Sequence, residues 1–201
     1  MRRSKEDAQQ TRIDILDAAE QLFAAKGVSA VTLEAISCRA GVTRGAFYWH
    51  FKDKSELLTA IHERRMLPQE QMLRGFAEQG HQDPLGLLET AAHDALHQFE
   101  SDPNQQLLFR IMNALPAEDE EAAWMNAKNG QLFTMLNKLT DQARALGLLS
   151  PQFTPQEAAV MLMATMSGLI SEWLRSGKAF PLFGLGAKIV STQISVLRTP
   201  R

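Results

Sequence analysis

The sequence predicts an all-α protein of about nine helices, and three observations carry that expectation. Apolar residues recur at three- and four-residue spacings along most of the chain. Strand-like alternation is absent. Several segments open with a capping residue followed by proline, or by glutamate three positions on. Two parts are expected: a three-helix unit with a helix-turn-helix over residues 1–53, and a larger helical domain over residues 54–201.

Ile15, Ala18, Ala19, Leu22 and Phe23 share one face of the first helix, opposite Asp14, Asp17, Glu20 and Gln21. Lys26 suits its C-terminal dipole, and Gly27 supplies a left-handed stop. Thr32 caps a second helix in which Leu33, Ile36 and Ala40 align, and "AGVT" breaks it. Thr43 caps a third, Arg44 to His50; the two short helices flanking Gly41 form the helix-turn-helix. In "DKSE", Asp53 caps a fourth helix with Glu56 at the reciprocal position, running through Leu57, Leu58 and Ile61 towards Phe76 with a kink expected at Pro68. Further helices are expected over 84–100, 103–115, 118–146, 154–176 and 184–197. The fourth of these opens with the full signature "TPQE". Its stretch from Ala158 to Trp173 is apolar almost all round, and the last helix carries Ile189, Val190, Ile194, Val196 and Leu197. Each needs cover on two sides, from its own core and from something else.

A chain of 201 residues can bury a core without disulfides, and the single cysteine, Cys38, cannot bridge internally. No charged-then-apolar leader opens the sequence, so a cytoplasmic setting is expected. The longest apolar run, Ala158 to Ile170, is shorter than the ~20 residues a bilayer requires, which argues against a membrane partner. Residues 1–65 hold 11 Lys/Arg against 9 Asp/Glu, while the remainder holds 10 against 14. That mild asymmetry fits a small nucleic-acid-facing module on an acidic body.

Residues 41–54, "GVTRGAFYWHFKDK", carry the distinctive chemistry. Gly41 permits the turn, and Arg44, at the start of a capped helix, has the two-pronged donor geometry that reads guanine edges. Tyr48 and His50 are donors for phosphate oxygens. Lys54 adds charge to the exposed N–H groups opening the next helix. Phe47 and Phe51 are expected to hold the short helices together. Arg2, Arg3 and Lys5 precede the first helix, as a DNA-contacting arm or a solvated tail.

The segment "ILDAAEQLFAAKGVSAVTLEAISCRAGVTRGAFYWHFKDKSELL" strongly resembles the DNA-binding domain of TetR-type transcriptional repressors. Its "GVTRGAFYWHFKDKSEL" portion is most similar to the branch that represses multidrug efflux pumps, and a weaker likeness continues through "SGLISEWL". The resemblance implies a ligand-responsive repressor controlling an efflux pump operon and released by small hydrophobic compounds. Its partners would be double-stranded operator DNA of pseudo-palindromic sequence, an effector, and a second copy joined through the last two helices. Ala164 and Gly168 would let helices approach closely there. Thr32, Thr43, Arg44, Gly45, Tyr48, Trp49, His50 and Lys54 fall where the family contacts DNA. His62, Met66, Phe109, Asn113, Leu132, Phe133, Leu136, Met166, Ser167 and Ile170 fall where the efflux branch lines its effector pocket, with Asn113 and Ser167 as orienting polar groups. Phe109 and Met66 stand where relatives often carry polar or acidic side chains, which implies neutral, bulkier ligands.

Rival chemistries have less support. "HDALH" sets His93 and His97 four apart, a zinc-compatible spacing, with His81 nearby. But Asp94 replaces the expected glutamate and no third ligand is suitably spaced, so a metal-dependent enzyme is the weaker alternative. No phosphate loop or nucleophile motif points to another enzyme, and no cofactor or metal is expected. Cys38 reads as a small space-filler rather than a redox switch. A different alternative is an architectural or division-linked DNA binder without an inducer.

Overall fold

Ten helices arise among the described residues of the protein's computed structural model, which are 5–65, 68–113 and 120–200. They are α1 (Lys5–Lys26), α2 (Leu33–Arg39), α3 (Arg44–His50), α4 (Lys54–Arg65), α5 (Pro68–Gln79), α6 (Pro84–Ser101), α7 (Pro103–Asn113), α8 (Glu120–Ala145), α9 (Pro155–Arg175) and α10 (Leu182–Leu197). An isolated bridge between Leu149 and Arg198 is the one β-type pairing among those residues. No described helix is long and apolar enough to cross a membrane. The expected helix from Asp53 towards Phe76 is described as α4 and α5, on either side of residues 66–67, with Pro68 as the first described residue of α5. Lys5 lies within α1 rather than ahead of it.

Two compact units result: residues 1–66 with 107–127, and residues 67–106 with 128–201. In the first, Ile15, Leu16, Ala19 and Phe23 of α1 pack with Ile36 of α2, Phe47 of α3, Phe51, and Leu57, Leu58 and Ile61 of α4. Leu107, Leu108 and Ile111 of α7 join the same cluster. Gly27 and Gly41 take φ of 78° and 67°, conformations open to glycine at little strain, which ends α1 and turns α2 into α3. Glu20 departs from the expected solvent side. It is buried, with Oε1 3.1 Å from an Arg64 guanidinium that also meets Asp17 at 2.6 Å, so α4 is clamped to α1.

In the second unit α10 packs along α6, with Phe99 of α6 edge-on to Trp173 of α9 at 6.1 Å. Two polar side chains on this seam have partners. Ser191 donates to Glu89 at 2.6 Å, and His93 Nε2 lies 3.2 Å from the Ala187 carbonyl. His97 stands edge-on to Phe183. Among the described residues, no three His, Cys, Asp or Glu side chains gather as a metal site. α10 starts at Leu182, two residues before the expected position, because the Glu100 carboxylate accepts the Leu182 and Phe183 N–H groups at 2.6 and 3.4 Å. α9 carries the expected capping box, in which Thr154 Oγ1 accepts from Glu157 N–H and Glu157 accepts from Thr154 N–H.

Asp83 caps α6 by accepting from Gly86 N–H at 3.0 Å and pairs with Arg198 at 2.8 Å. The Arg198 hydrogen bond, with help from Gly86 and against partial burial, holds the Asp83 carboxyl below the usual carboxylate range. A depressed folded-state value contributes stability that is present above the unfolded value near ~3.9 and lost as pH falls through the folded one. Thermal melts should therefore show Asp83→Asn, which keeps a cap, costing about 0.5 kcal/mol at neutral pH, and Asp83→Ala about 1–2 kcal/mol. The charge-dependent part of each difference should fade as pH falls through the depressed Asp83 value, while Asp83→Ala keeps the cost of the lost cap.

Candidate nucleic-acid interface

Two threonine-capped helices of seven residues each, α2 and α3, are joined through the Gly41 turn. Thr32 Oγ1 accepts from Ala35 N–H at 3.1 Å, and Thr43 Oγ1 accepts from Ala46 N–H at 3.2 Å. Each hydroxyl spends its oxygen on a cap and keeps an O–H to donate outward. Phe47 is fully buried and anchors α3, its ring 6.0 Å from Phe51, while the Arg12 guanidinium lies 5.1 Å from the Phe51 ring centre. With that side of α3 turned inward, the other faces out. Arg44 and Gly45 are exposed, Tyr48 is 45% exposed and Trp49 73%. Trp49 in particular is left largely uncovered by the chain's own fold, and its place on a face that also carries a guanidinium suits a polyanionic partner.

Within this surface Arg44 lies against Tyr48, its guanidinium carbon 5.8 Å from the ring centre. A side-chain hydrogen bond with Tyr48 raises the Arg44 pKa above its ordinary value, with a smaller contribution from the Glu34 carboxylate. His50 is half-buried and edge-on to Trp49 at 4.5 Å. Lys54 differs from a simple solvated cation: its Nζ donates to the Val28 carbonyl at 3.1 Å, tying α4 to the loop between α1 and α2. A Cβ built at Gly45 would meet no atom of the chain, so internal packing does not require glycine there.

Residues expected in an effector pocket lie in both units. His62 of α4 and Phe109 of α7 are half-buried in the first. In the second, Leu136 of α8 is buried, Phe133 half-buried and Leu132 exposed; on α9 Met166 and Ile170 are half-buried and Ser167 exposed. Met66 lies outside the described residues, as do Arg2, Arg3 and the side chain of Asn113. The sequence pattern did not single out Gln69, a buried α5 side chain whose Oε1 accepts no hydrogen bond from a described residue. A polar residue inside an amphipathic stripe was the signal available.

Residues 15–61, which span α1 to α4, match the family described as "Bacterial regulatory proteins, tetR family". Over 204 residues the chain is 37% identical to the HTH-type transcriptional repressor BepR of Brucella suis biovar 1 (strain 1330), covering 100% of this chain and 98% of that protein. Among solved structures it is similar to SmeT bound to triclosan, with a TM-score of 0.83, 31% identity and coverage of 95% and 93%. It is also similar to NalD, described as the secondary repressor of the MexAB-OprM multidrug efflux pump in Pseudomonas aeruginosa, with a TM-score of 0.80, 31% identity and coverage of 96% and 98%. A helix-turn-helix with this exposed face, and likeness to a repressor along the whole chain, agree: the protein belongs to the tetR family of bacterial regulatory proteins.

Proposed function

We propose that the chain represses a multidrug efflux operon, binding a pseudo-palindromic operator as a homodimer and leaving it when a small hydrophobic compound binds. Family membership makes it a transcriptional regulator rather than an enzyme. The observation that carries the operator reading is the outward face of α3, where Arg44, Tyr48 and Trp49 stand exposed on a helix anchored from behind by Phe47. Arg44 reads guanine. The Thr32 and Thr43 hydroxyls, Tyr48, Trp49 and His50 meet the phosphate backbone, and the absent side chain at Gly45 lets it approach. Lys54, already fixed to Val28, presents its remaining N–H groups to a phosphate. Chromosomal DNA as target places this action in the cytoplasm.

A second copy of the chain covers the outer face of α9 and α10. Val160, Ala164, Gly168 and Ser171 form an exposed stripe on α9, and Leu185, Ile189 and Val196 one on α10, too apolar to suit solvent and too small-sided to resist close packing. The effector reading rests on the relatives, one of which is solved with triclosan, and on the largely apolar character of Phe133, Leu136, Met166 and Ile170. An effector acts only if it binds the operator-incompetent arrangement more tightly than the competent one.

Selection from a random duplex pool tests this directly. Wild-type protein should enrich an inverted repeat with half-sites one helical turn apart, sediment as a dimer at micromolar concentration, and release that DNA on addition of triclosan or a comparable hydrophobic antimicrobial. Failure to prefer any duplex over random competitor at moderate salt would overturn the operator reading. Tight drug binding without DNA release would overturn the effector reading alone.

A further inference from the structure

In the second unit α5 turns a stripe of three residues inward, Gln69, Leu73 and Ala77, each 8% exposed. Their four-residue spacing sets them on one face of the helix. At the far end of the stripe the free carbonyls are served from outside, because Gln142 Nε2 of α8 donates to Phe76 and Ala77 at 3.3 and 3.2 Å. At the near end Gln69 Oε1 accepts no hydrogen bond from a described residue. Asn137, Gln142 and Gln193 also hold an oxygen of this kind, but those residues are half-buried. Gln69 occupies a core position that leucine or methionine would fill with no polar group to satisfy, and a buried carbonyl without a donor destabilises the fold that holds it. Among the polar groups expected to orient an effector, Ser167 is exposed on α9 and the Asn113 side chain lies outside the described residues, which leaves Gln69 as the buried one.

Given the effector reading above, on which this depends, we propose that Gln69 is the polar anchor of the effector site, its Oε1 accepting a hydrogen bond from a hydroxyl or N–H group on an otherwise apolar compound. A carboxamide stays neutral, so its oxygen accepts from phenols, amides and protonated amines alike but has nothing to give an ether or a carboxylate. Selectivity comes from the penalty. A compound of the same shape without a donor covers the oxygen and leaves it unpaired. The effector class is therefore a hydrophobic body that carries at least one donor, narrower than hydrophobic compounds at large.

Triclosan and its O-methyl ether form a matched pair, since methylation removes the phenol O–H and little else. Titration calorimetry with wild type, Gln69→Met and Gln69→Leu, at a pH that keeps the phenol protonated, tests the assignment, with thermal melts run beside it. Wild type should bind triclosan about tenfold more tightly than the ether, the worth of one hydrogen bond set against a covered, unpaired oxygen. Both variants should bind the two compounds within about twofold of each other, chiefly by gaining affinity for the ether. Without any compound they should melt no lower than wild type, because they lose an unpaired acceptor rather than a contact. Equal binding of the two compounds by wild type, or a tenfold preference kept by both variants, would overturn the proposal. Two variants that melt well below wild type would also overturn it, by showing that the oxygen serves a partner within the fold. If neither compound binds wild type or releases its operator, the effector reading itself falls, and this inference with it.

Discussion

Arg44→Ala is expected to lower affinity for the selected operator by about 30-fold to 25,000-fold while leaving the folded protein intact. A guanidinium that grips guanine O6 and N7 in two prongs contributes about 1–3 kcal/mol of discrimination, and a symmetric dimer makes the contact twice. Arg44 is exposed and its neighbours need nothing from it for packing, so its melting behaviour should change by no more than about 0.5 kcal/mol. The companion variant Arg44→Lys separates charge from geometry. Lysine keeps a positive centre for phosphate but has no fork to match guanine, so the salt dependence should persist while the ratio of operator to random binding collapses. Fluorescence anisotropy with labelled operator and random duplex measures both quantities. An Arg44→Ala protein with the wild-type ratio would remove this residue from base recognition and transfer the task to Tyr48 and Trp49.

What the sequence could and could not announce divides along the range of the forces involved. The bounds of α3 were legible to the residue, because Thr43 supplies a side-chain oxygen to Ala46 N–H and both signals lie within four positions of each other. α9 was legible for the same reason. The start of α10 was not, since its N–H groups are satisfied by Glu100, 82 residues before Leu182. Glu20 was misplaced because periodicity assigns a carboxylate to water, whereas Arg64 of α4 supplies a partner that only the fold brings near. Nothing local says that buried Ile111 and partly buried Leu107 and Leu108 of α7 will have the rings and aliphatics of the N-terminal helices as neighbours. In the candidate site, the rings divide as expected into buried Phe47 and Phe51 and exposed Tyr48 and Trp49. The anchoring of Lys54 by a carbonyl 26 residues earlier in the chain was beyond local pattern.

That division of the rings gives the second large effect. Phe47 has no exposed surface and touches the ring systems of both Tyr48 and Phe51, at 5.8 and 6.0 Å between centres, in a unit whose helices α2 and α3 have seven residues each. Helices so short are unstable alone and persist only by tertiary packing, so truncating the central ring removes what holds α3 in place. Phe47→Ala is expected to cost about 3–5 kcal/mol from lost burial and the cavity left behind, a large share of the stability of a domain. Trp49→Ala, two positions on but exposed, should cost less than about 0.5 kcal/mol while still weakening DNA binding. Native-state hydrogen exchange resolves where the loss falls. In Phe47→Ala, amides of α2 and α3 should lose protection while those of α9 and α10 keep theirs, and operator binding should fall with the fraction of unit still folded. Phe47→Leu, which fills most of the space, should recover most of the protection and most of the binding. If Phe47→Ala instead kept wild-type protection in α3 and lost only DNA affinity, the ring would belong to the interface with the operator rather than to the core that presents it.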